Sequence, residues 1–174
     1  MAREYFSEAL VLDQEDVGEL DRRIYLYTEE LGKVVAKVKS ARKIISKLSG
    51  HLQPLNFVNV RLVEKGGFQI TDALTIKKLP KNKDIFKLLQ FLKEMTFEIQ
   101  PDKKLWFIIK KNLWAATAPK ISYKPFLEAL GFDPKFAQCQ VCRNKTVNYF
   151  SKTEQVFLCR GCGDKFGIDE LVLI

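Results

Sequence analysis

The sequence predicts an α+β protein built from three modules: a small β-barrel over residues 1–80, a helical segment over 81–134 and a four-cysteine module over 135–174. Three observations carry this expectation. Closely spaced segments rich in β-branched and aromatic residues, alternating in places with a period of two, fill the first 80 residues. After Lys77-Lys78-Leu79-Pro80 the apolar spacing becomes helical. All four cysteines then fall within 24 residues near the end of the chain.

The expected strands are YFSEALVL (5–12), RRIYLYT (22–28), GKVVAKVKSA (32–41), FVNVRLV (57–63) and FQITDALTIKK (68–78). Gly66-Gly67 supplies the positive φ angles of a tight hairpin between the last two, and strands so closely spaced form a small barrel or curled sheet. Between the third and fourth, ARKIISKLSGHLQPL has room for a short helix, interrupted at Gly50 and stopped by Pro54. A first longer helix over 84–99 places Ile85, Leu88, Leu89, Leu92 and Ile99 near one side, with Asn82 as its cap. A second opens at Pro101-Asp102 and runs through LWFIIKKNLWAA. A third lies in SYKPFLEALGF, with Ser122 as cap, Pro125 in the first turn and Gly131 as the left-handed stop.

Composition excludes several classes. A chain of 174 residues with 47% hydrophobic residues and 13 Phe buries a core and is not disordered. No run approaches the roughly 18 apolar residues of a bilayer span. The amino terminus lacks the basic-then-apolar order of a signal peptide, so a cytosolic location is expected. One histidine, His51, stands near no nucleophile, and no phosphate-cradling glycine loop is present, so enzymatic activity is not expected. The net charge of +8 points to polyanionic partners. It is unevenly spread: residues 1–32 hold nine acids and three bases, whereas 31–63 contain no acid.

Cys139-x2-Cys142 and Cys159-x2-Cys162, separated by 16 residues, have the spacing of two knuckles that close a tetrahedral zinc site. Four thiolates leave no open position for water, so the expected zinc is structural. Arg143, Lys145, Arg160 and Lys165 can offset the negative charge of such a site or meet nucleic acid. A thiol oxidoreductase would use one such pair beside a βαβ pattern, which is missing.

In the acid-free stretch, an extended strand points Lys33, Val35, Lys37 and Lys39 one way and Val34, Ala36, Val38 and Ser40 the other. The aliphatic set suits a barrel interior. Lys33, Lys37 and Lys39, prolonged by Arg42, Lys43 and Lys47, form a linear array matched to the phosphates of a nucleic-acid strand. The bland alternative is an ordinary solvated face, which normally mixes signs. Tyr25 and Tyr27 share a face with Arg23 and are candidates for base stacking. The parity of the turn around residues 29–32 decides whether they join the lysines or the core.

EDVGELDRRIYLYTEELGKVVAKVKSARK, HLQPLNFVNVRL, FLEALGFDPKFAQCQVC and FLCRGC, in this order, resemble the bacterial recombination mediator RecO family. The resemblance implies an OB-fold, a helical region and a zinc module. It also implies binding of single- and double-stranded DNA, strand annealing and recombinase loading in DNA repair, without enzymatic activity. RecR and the tail of single-strand binding protein would be partners, and the location cytoplasmic and nucleoid-associated. Lys37, Lys39, Arg42 and Lys43 fall where that family's OB-fold presents its DNA surface. Only GDKFGIDELVLI follows the last cysteine, where the family usually continues into further helices, and the helical region is short; both imply a reduced member. Two other classes fit the same composition: a protein-recruiting adaptor, and an RNA-binding ribosome-associated module.

Overall fold

A computed structural model describes residues 2–39, 47–114, 121–166 and 170–174. The chain divides into two compact units, Met1–Pro119 and Lys120–Ile174. In the first, β1 (Arg3–Val17), β2 (Asp21–Thr28), β3 (Gly32–Val38), β4 (Asn56–Glu64) and β5 (Phe68–Lys78) close a barrel in the order β1-β2-β3-β5-β4. A short helix α1 (Lys47–His51) lies between β3 and β4. This is the OB-fold expected from the sequence.

β1 is longer than its hydrophobic run because it serves two neighbours. Its first half pairs with β4 and its second with β2, with Ala9 and Leu10 paired on both sides. A register shift between Val11 and Asp13 lets the strand bend around the barrel. Past Leu12 the strand is polar, and charge pairs such as Asp16↔Arg22 and Glu15↔Arg23 replace apolar alternation. β3 stops at Val38, and the seam it makes with β5 is brief: Ala36↔Phe68 and Lys37↔Gln69.

Val34, Ala36 and Val38 face the interior as the alternation requires, beside Ile24, Leu26, Val58, Val60 and Leu62. Each valine, leucine or isoleucine among them contributes about 1.5–3 kcal/mol on burial. Leu52 closes one end, and α1 is fastened there by polar contacts. The Asn56 amide donates to the carbonyls of Gly50 and His51, and His51 Nδ1 accepts the Thr75 N–H at 3.1 Å. His51 is thus a clasp on β5.

Helices α2 (Lys83–Met95) and α3 (Lys103–Ile109) form a second layer, and α3 runs on into a π-helical turn, Lys110–Trp114. Asn82 caps α2 by accepting the Asp84 N–H, and Asp102 caps α3 through Leu105. Ile85, Leu88, Leu89 and Leu92 are buried as expected, with Phe91 and Met95. Ile99 is a correction. α2 ends at Met95 because Thr96 turns extended, and Ile99 has φ 56° and is 46% exposed. Its N–H donates to the Lys33 carbonyl at 2.9 Å, so the α2–α3 link runs beside β3. Among the described residues no helix is long and apolar enough to cross a membrane.

The second unit begins with α4 (Lys124–Ala129), which has Pro125 in its first turn and Gly131 at φ 91° beyond its end. Ser122 is not its cap: Tyr123 occupies that position and makes no capping bond. The helical segment expected over 81–134 is therefore shared, α2 and α3 lying in the first unit and α4 in the second. β6 (Tyr149–Ser151), β7 (Val156–Leu158) and β8 (Leu171–Leu173) form a sheet in the order β7-β6-β8. The Phe150 ring packs between Phe132 and Phe157, at 4.9 and 5.1 Å. A one-turn helix α5 (Arg160–Gly163) follows β7.

Gly32 locks the two layers of the first unit together. It has φ 70°, and a Cβ there would collide with the Gln100 carbonyl. Gly18 has φ 61° with open space around it. Gly32→Ala is expected to lower the unfolding free energy by about 2–4 kcal/mol, against about 1 kcal/mol for Gly18→Ala. Urea denaturation of the two variants checks this difference; equal losses would contradict the close approach of the link to the β2–β3 turn.

Candidate nucleic-acid interface and metal centre

The β2–β3 register puts Tyr25 opposite Val35, Tyr27 opposite Lys33 and Arg23 opposite Lys37. Directly paired residues share a face, so the tyrosines lie with the lysines outside the barrel. The second layer covers part of that face. Tyr27 is 1% exposed and stacks on Trp106 of α3, with centroids 6.4 Å apart. Burial first, then the Asp102 carboxylate, push its phenol pKa well up. The Tyr25 ring lies under the Lys93 ammonium at 4.0 Å, and its hydroxyl donates to Glu15.

The lysine array is correspondingly divided. Lys33 Nζ is half-buried and donates to the Lys93 carbonyl at 2.9 Å. Burial lowers its pKa, the Lys93 ammonium adds to that, and Glu98 partly opposes it. Lys37 pairs with Asp21 at 2.8 Å. Lys39 and Lys47 are exposed. Arg42 and Lys43 lie outside the described residues.

Carboxylates of the acidic amino-terminal stretch recur across the first unit. Glu15 and Asp16 pair with Arg23 and Arg22, Glu4 with Arg61, Asp13 with Lys93 at 2.7 Å and Glu8 with Lys110 at 2.5 Å. Both lysines also sit over aromatic rings: Lys93 over Tyr25, and Lys110 over Trp106 and Trp114. Such contacts fasten α2 and α3 to the barrel. On β1, β4 and β5 the sequence reading passed over an exposed strip headed by Phe6, 69% exposed. The adjacent Tyr5-Phe6 pair was its signal, because neighbouring strand residues cannot both enter the barrel.

In the second unit, β6 and β7 form an antiparallel hairpin between the two cysteine pairs. The sulfurs of Cys139, Cys142, Cys159 and Cys162 all lie within 4.8 Å of one another, with Cys142 and Cys159 at 3.5 Å. A tetrahedral thiolate site needs sulfurs about 3.8 Å apart, so the four residues fit one metal ion. The knuckles are set by backbone bonds: the Arg143 N–H donates to the Cys139 carbonyl at 2.9 Å and Gly163 to Cys159 at 2.8 Å. Arg143 adopts φ 63° to complete the first turn. Gly163 is required by the second, since a Cβ there would enter the Tyr149 ring. Arg143, Lys145, Arg160 and Lys165 are all exposed around the cluster.

Residues 1–80 match the family model described as Recombination protein O N terminal. They are a RecO N-terminal domain. Over 91% of its length the chain is also similar to proteins named DNA repair protein RecO. The Dehalococcoides mccartyi protein is 27% identical, with 70% of its own length covered. Those of a Thermoanaerobacter species and Myxococcus xanthus are 26% and 28% identical, with 71% and 72% covered. The likeness reaches beyond the RecO N-terminal domain, because 91% of the chain includes most of the second unit.

The protonation of the four sulfurs outside that domain reflects their crowding. Burial opposes ionisation of Cys139, but backbone N–H groups of Cys142, Cys159 and Val141 outweigh it and bring the pKa down to about 6. Hydrogen bonds with Cys159 and Cys142 push Cys162 up to about 12. Neighbouring thiols thus hold protons that a bound ion would replace. Purified protein is expected to carry one metal ion per chain by elemental analysis, and Cys142→Ser to lose most of it. Chelation should abolish the near-ultraviolet dichroism of Tyr149 and its neighbours while the barrel's far-ultraviolet signal persists. A metal-free protein with an unchanged spectrum would contradict the site.

Proposed function

We propose that the protein is a non-enzymatic recombination mediator of RecO type that acts in DNA repair. The observation that carries this reading is likeness to proteins named DNA repair protein RecO over 91% of the chain, together with the RecO N-terminal domain. In this reading it binds single- and double-stranded DNA, anneals complementary strands and helps load recombinase in the cytoplasm, associated with the nucleoid. RecR and single-strand binding protein are its proposed partners. Its one metal ion is structural zinc, held by Cys139, Cys142, Cys159 and Cys162, because four thiolates suit zinc and complete its tetrahedron.

The DNA contact is proposed at the far end of β3, at Lys37, Lys39 and Lys47, with Arg42 and Lys43 between them in the chain. Lys39 and Lys47 are exposed. The Lys37–Asp21 pair has side chains 53% and 28% exposed, and a pair of that kind contributes only about 0–1 kcal/mol, so a phosphate can take its place. Lys33 serves the fold rather than the ligand, and Tyr27 offers no free ring. The ammonium groups gain by releasing counterions condensed on the DNA, which makes affinity depend steeply on salt.

Annealing of complementary oligonucleotides, with and without single-strand binding protein and at two salt concentrations, tests this reading. Lys39→Glu combined with Lys47→Glu is expected to weaken binding of an oligo(dT) about tenfold or more and to reduce the salt slope by about 1–2, alike for all sequences. Lys33→Gln is expected to lower stability and leave affinity nearly unchanged. Unaltered affinity in the double variant would overturn the proposed surface, and tighter binding of RNA than of DNA of the same sequence would favour an RNA-binding module.

A further inference from the structure

The outer face of β1, β4 and β5 carries a strip that the DNA contact does not use. Its register is explicit: Phe6 pairs with Arg61, which pairs with Asp72, while Asn59 pairs with Leu74 in the adjacent row. Phe6 is 69% and Leu74 62% exposed. With Ser7 and Val60 as floor, these residues line a depression of about 450 Å³. Neither aromatic nor aliphatic side chain gains by standing in water, and the barrel interior has no place for them, since strand parity points them outward.

The charges of the strip decide what fits it. Arg61 is held by Glu4, whose Oε2 accepts from Nε and Nη2 at 3.2 and 2.7 Å, and its guanidinium lies 5.4 Å from the Phe6 ring centroid. Its charge is therefore already matched. Asp72 accepts the Ala73 N–H at 2.9 Å but has no cationic partner among the described residues. A phosphate placed here would meet one neutralised arginine and two carboxylates. The complementary ligand is apolar with a positive charge, which nucleic acid does not offer at neutral pH and a polypeptide does.

We infer that the Phe6–Leu74 depression is a docking site for a partner-protein segment that presents aliphatic side chains beside a lysine or arginine, the aliphatic groups covering Phe6 and Leu74 and the cation meeting Asp72. The site shares no residue with the DNA contact proposed at Lys37, Lys39 and Lys47, so each can fail without the other. A nucleic-acid mediator built this way holds its polyanion and its protein partner through surfaces of opposite charge.

Titration of the isotope-labelled full chain with the blocked peptide acetyl-Leu-Lys-Leu-amide, followed by nuclear magnetic resonance, tests the inference. Saturable shifts at the Ser7, Asn59, Val60 and Asp72 amides are expected, with a dissociation constant on the order of 1 mM for so small a probe. Acetyl-Leu-Glu-Leu-amide, and the lysine peptide on Asp72→Asn, should bind about fivefold more weakly. Phe6→Ser should remove the shifts, keep the fold and leave oligo(dT) affinity unchanged. Three results would overturn the proposal: no shifts with the lysine peptide; oligo(dT) moving these amides with Phe6→Ser weakening it, which would make the strip a base-stacking site; or the same amides shifting with protein concentration as a dimer sediments, which would make it a self-association face.

Discussion

The packing of α2 and α3 against the outside of β1, β2 and β3 governs the rest of the first unit. An isolated small barrel has one buried side per strand, and its outward residues are free to bind. Here the outward side of two strands is also committed: Tyr27 to Trp106, Tyr25 to Lys93, and Lys33 to the α2 carboxyl-terminal region. The layer is held by rings and ammonium groups together, with Phe57 meeting Trp106 and Trp114 edge-on at 6.2 and 5.3 Å. Lysine stems lie along apolar surface while their heads find carboxylates, carbonyls or ring faces, so a layer rich in lysine still packs as core.

That commitment changes what an OB-fold offers a ligand. The strand 2–3 face is where such barrels commonly hold oligonucleotides. In this protein the half of the face nearest Gly32 is occupied by its own helices, and the half nearest Val38 is open, with Lys37 and Lys39 exposed. The proposed DNA contact therefore begins where the helical cover ends. The acidic amino-terminal stretch supports the division, because Asp13 and Glu8 secure lysines of the cover whereas Asp21, Glu15 and Asp16 form exposed bridges near the open half.

Much of this was legible in the sequence, and the exceptions have physical causes. Alternation in GKVVAKV gives the correct buried set, since period-two patterning reports directly on which side meets the barrel. The cysteine spacing places four sulfurs together because the ligands lie close in sequence and short turns set their geometry. In sequence Lys33 looks like a free cation because nothing local distinguishes it from Lys37; its partner is the Lys93 carbonyl, 60 residues away. The same holds for Tyr27 and Trp106. The apolar pattern of β1 stops at residue 12 because the second half of the strand is held by charge pairs, which leave no apolar period. The apolar spacing carries α2 on to Ile99 because spacing does not register the extended turn at Thr96.

The exposed bridges also bear on how a basic protein discriminates among polyanions. Lys37 with Asp21 is close to neutral as seen by a distant phosphate, so at long range the attraction comes from lysines without such partners. At contact, a phosphate that displaces Asp21 gains an ammonium but keeps a carboxylate beside it, which discounts the exchange. Lys39, exposed and two residues further along the chain from the Asp21 pair, has no carboxylate partner among the described residues and so carries no such discount. In the proposed contact, a strand along β3 would therefore be held more strongly at the Val38 end than at the centre.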